Sequence, residues 1–156
     1  MKHICEIHET TFDELPPDEQ QLIMQARLGA EKAFAPYSKF FVGAAALLNN
    51  GEYFYANNQE NSSFPVGICA ERSLLSYLGS IQKIHLIEKI AIVAFSTKIK
   101  VSEPVFPCGM CRQTMAEYEL NHNKEWTLLL KGESGKVYKL KGIAKNLLPF
   151  TFRLEL

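Results

Sequence analysis

Apolar residues recur at helical spacing after Pro16-Pro17-Asp18-Glu19, where Leu22, Ile23, Ala26, Ala30, Ala33 and Phe34 follow in turn. Proline is tolerated early in a helix and acids suit its first turn, so a helix should start here and end before Pro36. Val42 to Leu48 is a small, apolar run, Asn49-Asn50-Gly51 supplies a turn, and Tyr53-Phe54-Tyr55 resumes, which together predict an antiparallel hairpin. Helical character returns from about Cys69 to Leu78, followed by a buried strand from Lys89 to Ser96 and a helix from about Gly109 to Leu120. A strand from Trp126 to Lys131, a turn through Gly132 to Gly135, a short strand over Lys136 to Leu140 and a last helical piece stopping at Pro149 complete the chain. This alternation argues for a central sheet with helices on its faces.

The whole-chain numbers narrow the class. With 156 residues and 47% hydrophobic content, a full core can be buried, and residues 1–156 are expected to form a single domain. Lys+Arg and Asp+Glu balance at 17 each, which gives no overall attraction to nucleic acid or to acidic membranes. No basic stripe with interleaved aromatics suggests nucleic-acid binding, and no stretch nears the ~20 apolar residues that span a bilayer. The opening MKHICEIHETT lacks the apolar core of a secretion signal, so a cytoplasmic location is expected. In that reducing setting the cysteines read as metal-binding or redox groups rather than as disulfides.

Three cysteines carry the chemistry. Cys69 opens a Cys-Ala-Glu-Arg run, while Cys108 and Cys111 frame Pro-Cys-x-x-Cys-Arg. Cys108 and Cys111 share one face of a helix start, and Cys69 begins another helix; the partial positive charge of helix N-termini favours thiolate. Three thiolates can hold zinc with one position left open, where water becomes a nucleophile, and Glu71 can move its protons without itself being a ligand. Arg72 and Arg112 each follow a proposed ligand, and guanidinium hydrogen bonds to the sulfurs would draw back excess electron density. Cys5 could close the site into a four-thiolate structural zinc, Cys108-x-x-Cys111 alone could be a redox pair, and the two arginines could be solvated surface residues. Histidines 3, 8, 85 and 122 lack ligand spacing to the cysteines and are expected at the surface.

Ordered blocks along most of the chain resemble the small zinc-dependent cytidine deaminases of free nucleosides. They are Ala35-Pro36-Tyr37-Ser38-Lys39-Phe40, Val42-Gly43-Ala44-Ala45, Asn58-Gln59-Glu60-Asn61, Cys69-Ala70-Glu71-Arg72, Pro107-Cys108-Gly109-Met110-Cys111-Arg112-Gln113 and Leu147-Leu148-Pro149. The resemblance implies a three-layer α/β/α fold around a mixed five-stranded sheet, with residues 1–12 as a possible extra N-terminal strand. It implies one zinc per chain on Cys69, Cys108 and Cys111, and Glu71 as proton carrier in the hydrolytic deamination of cytidine and deoxycytidine. The backbone N–H of Ala70 would hold the base carbonyl, Asn58 and Glu60 the ribose, and Phe40 would pack by the base. Phe152 would reach a neighbouring subunit's site in a homotetramer, and pyrimidine nucleoside salvage would be the setting. Related three-cysteine enzymes act on nucleoside antibiotics, but the Asn58 to Asn61 block suits an unmodified ribose. Two departures stand out: Tyr55-Ala56-Asn57-Asn58 lacks the family's frequent glycine, and Phe106 replaces its frequent serine before Pro-Cys. The segment Lys2 to Glu9 lies outside the resemblance and reads as an added strand.

Overall fold

The computed structural model describes residues 2–154; Met1, Glu155 and Leu156 lie outside the described residues. Ten elements run in the order β1 (His8–Thr11), α1 (Pro17–Glu31), β2 (Phe40–Leu48), β3 (Tyr53–Asn57), α2 (Ala70–Ser80), β4 (Ile87–Ser96), α3 (Gly109–His122), β5 (Thr127–Lys131), β6 (Lys136–Lys141) and α4 (Ile143–Leu147), with short 3-10 turns between them. The strands form one sheet in the order β1-β6-β5-β4-β2-β3, in which β4 and β5 pair in parallel and every other neighbour is antiparallel. The sheet is mixed, as expected, but it has six strands and not five.

The sixth strand is the N-terminal one. The expected strand over Lys2 to Glu9 is shifted: residues 2–7 have no regular structure, and pairing begins at His8, which faces Lys139 of β6. Thr10 and Thr11 are β-branched residues suited to a strand, and pairing stops where Thr11 caps the next turn. The Thr11 N–H and hydroxyl both donate to Glu14 Oε2 at 3.0 Å.

Alternation along the strands divides the core between the two faces. Ala44, Ala46, Ile90, Ile92, Leu128 and Leu130 face α2, α3 and α4, joining Leu74, Leu75, Leu78, Met115 and Leu147. Ala45, Leu47, Ala91, Val93 and Leu129 face the other way, against Leu22, Ile23 and Ala26 of α1. Small residues in β2 let α1 lie almost on the backbone. A Cβ at Gly43 would fall 1.9 Å from the Ala26 carbonyl oxygen and 2.4 Å from the Ala30 nitrogen. Where the β2–β3 hairpin reverses, Gly51 takes a positive φ of 83°, which glycine adopts without steric cost.

The start of α1 is fixed by charge. Lys89 Nζ reaches Asp18 at 2.7 Å and the buried Glu19 at 2.8 Å, and Lys139 Nζ reaches Glu19 at 2.8 Å from a different strand. A buried carboxylate is tolerated here because two ammonium groups meet it.

Candidate active site

The linker geometry brings two helix starts together. Cys69 is the residue immediately before α2 and Cys108 the residue immediately before α3, with Cys111 in the first turn of α3. The Cys69 and Cys108 sulfurs lie 3.9 Å apart and those of Cys108 and Cys111 3.5 Å apart, with all three within 4.8 Å of one another. Thiolates on a tetrahedral zinc at ~2.3 Å each would sit about 3.8 Å apart, so the spacing fits that ion. The donor set fits as well, because three sulfurs fill three of four positions. Cys5 is exposed in the N-terminal segment and is not in this group, and the four histidines are exposed and also outside it.

Protonation follows from this crowding. A hydrogen bond from the Cys111 thiol, helped by Cys108 and the charge of Arg72, pulls Cys69 down to about 6 against its burial. The Cys111 thiol is pushed up, first by its bond to Cys69 and then by burial and the negative charges around it. Cys69 therefore gives up its proton readily, whereas Cys111 does so only when a cation relieves the repulsion. Glu71, in the first turn of α2, is 5% exposed, and burial raises its carboxyl to about 7, with the Cys69 charge adding to the effect. A carboxyl poised there can accept and return a proton near neutral pH.

A cavity of about 540 Å³ opens onto this cluster and includes Phe40, Asn58, Glu60, Cys69, Glu71 and Cys108 in its lining. A larger cavity of about 710 Å³ lies against α1, between Met24, Leu28 and Lys131, but it holds none of the cysteines and no buried carboxylate. Chemistry, not size, marks the smaller one as the candidate.

A family model described as the cytidine and deoxycytidylate deaminase zinc-binding region matches residues 16–123, the span that contains all three clustered cysteines and Glu71. The chain belongs to the cytidine deaminase family. The cytidine deaminase of Halalkalibacterium halodurans is 35% identical over 138 residues, covering 88% of this chain and 96% of that protein. The crystal structure of cytidine deaminase from Burkholderia pseudomallei aligns with a TM-score of 0.74 at 34% identity, over 85% of this chain and 98% of that one. The cytidine deaminase structure from Mycobacterium tuberculosis gives 0.65 at 30% identity, over 89% and 100%.

The remaining residues singled out from sequence fall into two groups. Phe40, Asn58, Glu60 and Ala70 line the cavity with Glu71. The Asn58 side chain is already engaged: it accepts from the Val42 N–H at 2.8 Å and donates to the Phe40 carbonyl at 3.0 Å, holding the end of β2. Glu60 Oε2 accepts from the Tyr37 N–H at 2.9 Å and the Ser38 N–H at 3.2 Å, and Ser38 holds its carboxyl below the usual range. Outside the cavity, Arg112 bonds two backbone carbonyls. Its Nε donates to the Pro107 carbonyl at 2.8 Å and its Nη1 to the Leu147 carbonyl at 3.4 Å, clamping the loop before Cys108 to the end of α4. Arg72 is half-buried and acts on Cys69 through its charge. Phe152 is 69% exposed and is held at its carbonyl by Gln113 Nε2 at 2.9 Å, away from the cavity of its own chain. Sequence reasoning missed Phe64 and Ile68 in the cavity wall, because the stretch between β3 and α2 has no periodicity to read.

Proposed function

We propose that the chain hydrolyses cytidine and deoxycytidine to uridine and deoxyuridine with release of ammonia, using Cys69, Cys108 and Cys111 to hold one zinc ion and Glu71 to carry protons. The observation that carries the reading is the trio of sulfurs within 4.8 Å beside a carboxyl buried at the end of a cavity. A zinc ion held there supplies a Lewis acid that makes water nucleophilic near neutral pH.

Glu71 takes a proton from the attacking water and passes it to N3 of the cytosine ring, then takes the remaining proton from the hydroxyl newly formed at C4 and delivers it to the amino group as that group leaves and the C4 carbonyl forms. Burial suits it to this cycle, since a carboxyl near pH 7 is neither a spent base nor too strong an acid. The first backbone N–H groups of α2 have no partner within the helix, so that of Ala70 is free to hold the base carbonyl. Phe40 packs by the base. Asn58 shapes the sugar end through β2, and Glu60 offers its second oxygen to a ribose hydroxyl.

The described cavity lining contains no lysine, arginine or histidine, while Glu60 and Glu71 are both acids. A nucleotide's phosphate would find no counter-charge there and a carboxylate to repel it, which favours nucleosides. Exposed Phe64, Phe150 and Phe152 support assembly as a homotetramer with sites at subunit interfaces, Phe152 reaching across to a neighbour. No described helix is long and apolar enough to cross a membrane. We place the activity in the cytoplasm, in pyrimidine nucleoside salvage, as one domain without nucleic-acid or membrane partners.

Glu71→Gln tests the assignment. The amide keeps the shape but cannot cycle a proton, so zinc content should remain near one per chain while cytidine turnover falls by about 10²–10⁴-fold. A Gln variant that deaminates cytidine at the parent rate would overturn it.

A further inference from the structure

Phe106 lines the same cavity as Cys69, Glu71 and Cys108 and stands two residues before Cys108. Its ring has an aromatic neighbour, and the segment that carries it is pinned on both sides. The Tyr138 ring of β6 lies behind it, with centroids 5.8 Å apart and planes inclined at 31°. The Tyr138 hydroxyl donates to Glu103 Oε2 at 3.0 Å, and Lys136 pairs with the same carboxylate at 3.2 Å. Upstream, the Glu133 N–H donates to the Val101 carbonyl at 2.7 Å and the Val101 N–H to Glu133 Oε2 at 2.6 Å. Gly132 sits so tightly on this segment that a Cβ there would be 2.6 Å from the carbonyl oxygens of Val101 and Glu103. Downstream, Arg112 clamps the Pro107 carbonyl. A segment pinned at Val101, Glu103 and Pro107 leaves the ring between them little freedom to yield.

We propose that Phe106 is a specificity-determining residue that sets a size limit at the reacting end of the pocket, with Tyr138 as the positioning residue behind it. The inference rests on the deaminase reading above. C4 of the base must lie beside Glu71 and the cysteine cluster, and its N3 flank is taken by Glu71. The atoms left to meet the neighbouring wall are C5 and the exocyclic nitrogen N4. Val42, Ile92, Ala94 and Val105, which line the same cavity, are apolar and offer no hydrogen bond to offset a forced fit. The chain therefore discriminates against cytosine nucleosides substituted at C5 or N4.

The test compares kcat/KM for cytidine, 5-methylcytidine and N4-methylcytidine across Phe106→Ala, Phe106→Leu, Tyr138→Ala and Tyr138→Phe, each checked for a cooperative melt. Removing the ring should raise the ratio of at least one methylated substrate to cytidine by about 10-fold or more, the range that one methylene commands in a close-fitting pocket. Tyr138→Ala should shift the ratio the same way, mainly through KM, and Tyr138→Phe, which keeps the ring, should restore the parent ratio. Should Phe106→Ala fail to fold, the smaller gain expected of Phe106→Leu decides the same question. Ratios within twofold of the parent for both methylated substrates in the folded Phe106 variants, with cytidine still turned over, would overturn this inference alone. Absence of cytidine turnover by the unaltered chain would overturn the deaminase reading and this inference together.

Discussion

Gly43→Ala should be among the costliest single-methyl additions available in this protein. The new Cβ would stand 1.9 Å from the Ala26 carbonyl oxygen and 2.4 Å from the Ala30 nitrogen, and both are backbone atoms of α1. Ordinary contact begins near 3.5 Å, so the helix must withdraw by about 1.5 Å or β2 must buckle. No flexible side-chain tip is present to give way instead. Overpacking typically costs 1–3 kcal/mol, and rigid groups on both sides put this case at about 3 kcal/mol. For a chain of this size each kcal/mol lowers the melting temperature by roughly 2–4 °C, which gives a fall of about 6–12 °C. Differential scanning calorimetry would measure it, with Gly135→Ala as control, since a Cβ at Gly135 meets nothing within 4 Å. Because β2 also brings Phe40 and Val42 to the cavity, KM for cytidine should rise in the Gly43 variant. A melting temperature within 2 °C of the Gly135→Ala control would show that α1 does not bear on β2 as described.

Three further outcomes follow from the geometry. Serine at Cys69, Cys108 or Cys111 should lower bound zinc well below one per chain, whereas Cys5→Ala should leave it unchanged; metal analysis of the purified variants decides, and zinc loss in the Cys5 variant would contradict the three-sulfur site. The hydrogen bond from Lys89 holds the Asp18 carboxyl below its ordinary value of 3.8, so the stability it contributes is complete above that pH and lost as pH falls through the folded value. Urea midpoints measured from pH 6 to pH 2.5 should therefore fall less steeply in Lys89→Met than in the parent, and parallel curves would refute the link. Truncation before Phe152 should lower both activity and assembly mass by analytical ultracentrifugation, and an unchanged assembly mass with full activity would rule out the proposed cross-subunit role.

Much of this was legible in the sequence because it rests on local rules. The 3.6-residue spacing of Leu22, Ile23, Ala26 and Ala30 and the Asn50-Gly51 turn each report a single element, and both were readable. The two cysteine motifs were readable for a related reason: each is a helix start, and local chemistry fixes its form. What escaped depends on contacts distant along the chain. Nothing in the spacing ties Arg112 to the Leu147 carbonyl, 35 residues further on. An added N-terminal strand was legible, but its bounds and its place in the sheet were not, because whether His8–Thr11 joins is decided by an open edge of β6 some 125 residues further along the chain.

That N-terminal strand changes what the molecule shows to its surroundings. Without it, the unpaired amides along the outer edge of β6 would offer a template for a stranger's backbone. With it, the outermost row is a short His-Glu-Thr-Thr hem, polar and carrying a charge, which is a poor foundation for accretion. Its practical consequence is colloidal: a protein lacking its first eleven residues should cloud at concentrations where the whole chain stays clear.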